Sequence, residues 1–398
     1  MTFMNLRKII IACDSFKGSL SSEEAARACT QGIKEAVALR GCSIETRSFS
    51  IGDGGEGTSA IIARSLGAEE VRISVPGPLG DMVDANYYIS SDGKTAIMDM
   101  SAASGITLVP HDRLNPLDAS TFGTGLMIRD AVRRGCRRVI IGLGGSATTD
   151  AGTGMLRALG FKLRYTSAYP LRPCGRSLEK LTGIDDSEVT PILADTEFIA
   201  ACDVGNPLYG PRGAACVFAP QKGASPDEVR LLDHGLKHFA RITASYHAER
   251  RHTAFDSSFV EKIASFPGSG AAGGLGFTLM NYLGARLSPG IDIILDACGF
   301  DEAARDADLI ITGEGRLDAQ TLMGKAPEGI RRRAAGLGIP VIAIGGSVSD
   351  DDSLIRAGFR SVHSVMQSPQ SLAEALLPAN ASANIARTLK HLTLLLHP

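Results

Sequence analysis

At 398 residues the chain exceeds the size at which one hydrophobic core keeps growing, so two domains are expected. Hydrophobic residues at 44% and charged residues at 21% are ordinary for a globular protein, and 41 basic against 43 acidic residues leave a net charge of −2. With 5% aromatics, no Trp and no Lys/Arg run longer than Arg331–Arg333, a nucleic-acid surface or a base-stacking platform is disfavoured.

Lys8–Cys13 reads as a buried parallel strand that stops at Asp14 and the loop DSFKGS, which carries Lys17. The next segment, 21–39, has a capping box of Ser21 and Glu24, a helical apolar face of Ala25, Cys29, Ile33 and Val37, and Gly41 as its stop. A strand near 44–51 leads into GDGGEGT (52–58), and a helix follows to Leu66. This βαβα opening predicts a parallel sheet covered by helices. From about Val71, apolar and polar residues alternate between hairpin-like turns, which predicts antiparallel or mixed pairing.

A helix near 124–134 and a strand at 138–143 come next, the strand running into GLGGSATTDAGTG; a later apolar run, FIAAC, ends at Asp203. Ser225-Pro226-Asp227-Glu228 marks a helix start, with its apolar face on Val229, Leu232, Leu236 and Phe239 and its end near His247. After PGSGAAGGLG (267–276) the βα rhythm returns: a strand at Leu309–Thr312, a helix near 326–336, a strand at Val341–Gly345, another helix, a strand at Val362–Met366, and a helix near 382–396. The expected architecture is α/β with two domains: a parallel-sheet, Rossmann-like βα domain formed by 1–78 and 286–398, and an α/β domain inserted at 79–285. Eight scattered cysteines with no C-x-x-C pair, a short N-terminal apolar run and no stretch of membrane-spanning length point to a reduced, cytoplasmic protein.

Strand after strand ends in glycine and a carboxylate: Asp14, Asp150, Asp203, and Glu314 with Asp318 in DLIITGEGRLDAQTLMGKAP. In open α/β sheets, ligands bind beyond the carboxyl ends of the strands. No Walker A loop is present, because Gly324-Lys325 is followed by Ala326 and the first glycine position holds Ala319. PGSGAAGG and GLGGSA imitate a dinucleotide fingerprint, but the first lacks a preceding strand and the second an acid about 20 residues on. The stretch 142–154 is a phosphate cradle, with Gly144 and Gly145 exposing backbone N–H groups, Ser146, Thr148 and Thr149 adding donors and Asp150 for magnesium, or else a glycine-rich turn capped by Asp150. Asp53 and Glu56 likewise suit either a hard cation or an exposed tight turn. Lys17 is a solvated loop lysine or an anion site, and Arg316 an ion-pair brace or the partner of a substrate carboxylate. No histidine lies in these loops, and His234, His238 and His247 share one predicted helix as surface or helix-flank residues, so a zinc site and a Ser-His-Asp triad are disfavoured.

At this point the chain resembles the bacterial type I glycerate kinases. The resemblance runs almost end to end through DSFKGSLSSEEAA (14–26), GDGGEGT, GLGGSATTDAGTGML (142–156), CDVGNPLYGPRGA (202–214), FAPQKGA (218–224), GSGAAGGLG, LSPGIDIILD (287–296) and TGEGRLDAQTLMGKAP (312–327). Gly205, Ala219, Pro289 and Met323 look like local variants. The resemblance implies ATP-dependent phosphorylation of D-glycerate to 2-phosphoglycerate, with a 3-phosphoglycerate product also assigned under the family name. It also implies two α/β domains with the site in the cleft between them.

Residue type and loop position then assign roles: Lys17 to the transferring phosphoryl group or glycerate, Arg316 to the glycerate carboxylate with Asp14 beside it, and Asp318, ahead of Asp203, to the hydroxyl proton. Residues 144–149 should contact the ATP phosphates, and Asp53, Glu56, Asp150 and Glu314 should hold Mg2+. The competing readings are an NAD-dependent, Rossmann-like dehydrogenase and a sugar-acid-sensing module without catalysis. A homodimer is compatible with the sequence.

Overall fold

The computed structural model describes residues 6–52, 58–166, 171–349 and 351–397. The chain forms two compact units, one of residues 1–54 and 290–398 and the other of residues 55–289. In the discontinuous unit, five parallel strands lie in the order Ser361–Ser364, Val341–Val348, Leu309–Leu317, Lys8–Cys13, Glu45–Ser48. The central strands, KIIIAC and LIITGEGRL, are buried almost throughout, as parallel strands covered on both faces must be. Helix Ser22–Arg40 starts at the capping box of Ser21 and Glu24, ends on Gly41 in the left-handed conformation, and packs on the final helix Pro378–Leu396. A Cβ on Gly32 would stand 2.1 Å from the Ala386 carbonyl oxygen, so this close crossing requires glycine. Helix Ala326–Leu337 packs against the 309–317 and 8–13 strands.

The other unit holds a six-stranded mixed sheet in the order Arg286–Ser288, Glu197–Ala201, Arg138–Gly142, Thr95–Asp99, Met82–Ile89, Glu69–Pro76. The first four strands run parallel, and the last two add antiparallel pairings. A two-stranded antiparallel sheet pairs Lys162–Tyr165 with Leu181–Asp185. The 26-residue helix Pro226–Arg251 buries Leu232, Leu236 and Phe239 and continues four residues past the expected end at His247.

The unit limits differ from the expected 78 and 286. Strand Glu69–Pro76 pairs over its whole length with Met82–Ile89, so position 78 falls inside a hairpin and residues 58–78 belong with the inserted sheet. Arg286–Ser288 pairs with Ile199–Ala201 and stays there too.

Candidate active site

The register of the discontinuous sheet decides what gathers at its carboxyl edge. Cys13 lies opposite Gly313, and Gly313 opposite Ile344, so Asp14 and Glu314 emerge together, with the Asp14 N–H donating to the Gly313 carbonyl at 2.8 Å. The chain then folds into a tight turn in which the Phe16 and Leu20 backbones exchange hydrogen bonds of 2.8 and 3.0 Å, with Gly18 at φ +79°. Lys17 is exposed at the tip of this turn. A Cβ on Gly315 would come within 3.3 Å of the Lys17 backbone nitrogen, so glycine there lets the turn lie over the strand end.

Beside these residues is a pocket of ≈ 680 Å³, whose polar end is formed by Asp14, Ser15, Lys17, Glu314, Arg316 and Lys325. Glu314 is 7% exposed and both of its oxygens are engaged. Oε1 accepts the Thr321 hydroxyl at 2.7 Å, and Oε2 faces Lys325 Nζ at 3.1 Å. Asp318 Oδ1 accepts the Gln320 N–H at 2.9 Å, capping the turn 319–322, while Oδ2 pairs with Arg316 Nε at 3.1 Å. The Arg316 side chain keeps 69% exposure, so Asp318 holds a guanidinium whose far edge remains presented to solvent.

The inserted unit treats its acid differently. Asp150 is fully buried and receives the N–H groups of Thr121 (2.8 Å), Gly152 (3.1 Å) and Gly154 (3.1 Å) and the Thr121 hydroxyl (2.8 Å). Burial pushes its carboxyl above the usual carboxylate range, although the four donors oppose that shift. Oδ2 takes three of these bonds and Oδ1 one, so in this structure Asp150 ties its own turn to Thr121.

Ser146, Thr148 and Thr149 are buried as well, while Gly144 and Gly145 are exposed. Lys222, 2% exposed, donates to Ser146 Oγ at 2.7 Å and to the Thr148 carbonyl at 2.6 Å, and burial pushes its amine down to about 7. The side-chain donors expected for ATP are thus enclosed in this structure, and Gly144 and Gly145 are the exposed part of the loop. The Thr148 and Thr149 hydroxyls have no hydrogen-bond partner among the described residues.

The dinucleotide-like string PGSGAAGG also resolves into packing. Gly273 and Gly274 adopt φ +66° and +94° within 271–283, and a Cβ on Gly273 would lie 2.1 Å from the Thr148 carbonyl oxygen. The Ala151 N–H donates to the Gly273 carbonyl at 3.0 Å. These glycines seat two backbone segments against each other, which is why the pattern occurs without a preceding strand.

The discontinuous unit therefore gathers Asp14, Lys17, Glu314 and Arg316, with Asp318 tied to the last of them. Asp203 and residues 144–150 belong to the other unit, and Asp203 is exposed just beyond the strand Glu197–Ala201. Asp53 and Glu56 lie outside the described residues. Among the described residues, no group of three or more His, Cys, Asp or Glu is arranged to hold a metal ion. Sequence reasoning missed Lys325 and Lys222. In the sequence Lys325 reads only as the lysine of an incomplete Walker motif, and Lys222 sits in FAPQKGA, where nothing local announces burial.

The profile of the Glycerate kinase family matches residues 9–397. The chain belongs to the glycerate kinase family. It is 43% identical over 390 residues to the glycerate 2-kinase of Escherichia coli K12, covering 96% of this chain and 98% of that one. To the glycerate kinase of Halalkalibacterium halodurans it is 41% identical over 387 residues, again covering 96% and 98%. A crystal structure of a Salmonella typhimurium LT2 protein assigned as glycerate kinase 2 superposes with a TM-score of 0.81 at 39% identity, covering 98% of both chains. Among the described residues, no helix is long and apolar enough to cross a membrane, and all eight cysteines are free thiols.

Proposed function

We propose that this protein transfers the γ-phosphoryl group of ATP to D-glycerate, giving 2-phosphoglycerate and ADP in the cytoplasm. The observation that carries the reading is the collinear likeness to the Escherichia coli glycerate 2-kinase, 43% identical over 390 residues. Phosphoryl transfer asks for positioning and charge neutralisation more than for covalent chemistry, and the pocket of the discontinuous unit supplies cations on a rigid strand edge.

Lys17, held at the tip of its turn, faces the transferring phosphoryl group. Arg316 pairs with the glycerate carboxylate, for which a guanidinium offers a planar fork, and Asp14 lines the same space. Asp318 already spends both oxygens on Gln320 and Arg316, so it acts by holding that guanidinium. Asp203, the other acid expected to take the hydroxyl proton, is the remaining candidate for that role.

Magnesium commonly binds through one or two carboxylates together with substrate phosphates. Asp14 and Glu314 are the described carboxylates that line the pocket and would hold the ion, with the Glu314 oxygens already engaged by Thr321 and Lys325. When bound with ATP, the ion would neutralise phosphate charge. The test is ADP release measured with D-glycerate as acceptor. Release that depends on D-glycerate supports the reading, and its absence at any acceptor concentration sinks it.

A further inference from the structure

The polar end accounts for only part of the pocket. Its other wall is apolar, made by Val365 and Met366 after the outer strand Ser361–Ser364, by Leu372 and Leu376 on the short helix 372–376, and by Ala381 at the start of the last helix. That short helix buries none of its residues, and Leu372 and Leu376 stay 76% and 37% exposed. Asn384, 5% exposed, and Gln370 also line this end, joined by a long amide–amide bond of 3.4 Å.

We propose that this apolar end is the seat of the adenine base of ATP, with the polyphosphate running toward Lys17 and Lys325. The inference rests on the reading that ATP is the phosphoryl donor. A volume of ≈ 680 Å³ falls within the roughly 300–1,000 Å³ usual for small-molecule sites and is far more than a three-carbon acid fills. Glycerate is polar throughout and gains nothing from a wall of leucine, valine and methionine. The occupant must carry anionic groups at one end and a flat apolar body at the other.

Adenine meets the second requirement. Its faces pack on aliphatic side chains, and its edge shows a donor beside an acceptor, which a carboxamide matches with its own acceptor and donor. The Asn384 and Gln370 amides line the same pocket as the apolar wall and could read such an edge, and exchanging their long mutual bond for bonds to the base costs little. The seat lies in the sequence 365–384, which none of the motifs expected to bind nucleotide includes.

The experiment is calorimetric titration of the full chain with ATP and, separately, with inorganic tripolyphosphate, in the absence of glycerate. The double variant Leu372→Ser with Leu376→Ser removes apolar wall from a helix that buries none of its residues, so folding should be retained. We expect the Kd for ATP to rise about tenfold, while the Kd for tripolyphosphate stays within about twofold. An unchanged ATP affinity overturns the proposal. An equal weakening of both ligands also overturns it, because the leucines would then support the pocket generally. With no glycerate present, the outcome is independent of the acceptor assignment.

Discussion

The strand end at 309–318 and the strand end at 138–150 begin from one plan, an apolar parallel strand running into glycine and then acid, and finish in opposite environments. At the first, Glu314 and Asp318 are each matched to a cation, Lys325 and Arg316, at the edge of an open pocket. At the second, Asp150 is closed over by three N–H groups and a hydroxyl, and Lys222 is buried among backbone and hydroxyl acceptors. The difference teaches that an acid after a glycine-rich strand end is as well suited to capping a turn as to holding a ligand. What decides is whether neighbouring backbone donors converge on it.

The largest effect that would sharpen this contrast is on turnover. Lys17→Met should lower kcat by about a hundred- to a thousandfold, the size expected for losing one charge that faces a developing anion. The thermal melting curve should move little beside the loss of turnover, since the side chain is exposed. Near-normal turnover would return Lys17 to the solvated surface and erase the functional half of the comparison.

Asp150→Asn should act in the reverse sense. Its cost is expected in stability, on the order of 3 kcal/mol, because an amide turns donors toward backbone N–H groups that need an acceptor. Urea unfolding measures this directly. At a temperature where the variant is folded, its KM for ATP should match the parent protein's, and a selective rise would restore Asp150 to the ligand site.

Arg316→Lys should raise the KM for D-glycerate about tenfold, the scale of one charge-assisted hydrogen bond, with the KM for ATP unchanged. Asp318→Asn should reproduce that pattern if its work is to hold the guanidinium. Asp203→Asn should instead lower kcat. Steady-state kinetics in both substrates separates the two, and a kcat loss confined to Asp318→Asn would exchange the roles.

The smallest effect per step concerns pH, spread over several units. The Lys222 amine, pushed down to about 7 from its ordinary 10.5, binds its proton more weakly in the folded protein than in the unfolded chain. Stability from this group therefore rises with pH between those values, by up to about 1.4 kcal/mol per pH unit, and the burial cost is fully present below about 7. The difference in urea midpoint between the parent protein and Lys222→Met should follow that slope. A difference that is flat with pH would mean the amine stays charged in its burial.

Much of the fold was legible because its signals are local. The capping boxes at Ser21 and Ser225, the apolar run Lys8–Cys13 and the alternation after Val71 all reappear as the elements they predict. The small sheet of Lys162–Tyr165 and Leu181–Asp185 escaped because its two short strands are separated by a long connection. In the site, Asp14, Lys17, Glu314 and Arg316 were legible from their place at strand ends. The fate of Asp150 was not, because its donors come from Thr121 as well as from its own turn. Lys222 and the apolar wall at 365–384 reach their neighbours across long sequence distances, and no local pattern marks them.

The central claim, that D-glycerate is phosphorylated on its secondary hydroxyl, is tested most directly by phosphorus NMR of the product formed from ATP and D-glycerate. A phosphate on the carbon bearing one hydrogen gives a doublet, and this account predicts that doublet growing with ADP. A triplet, from phosphate on the terminal methylene, or ADP appearing with no new phosphate ester, would contradict it.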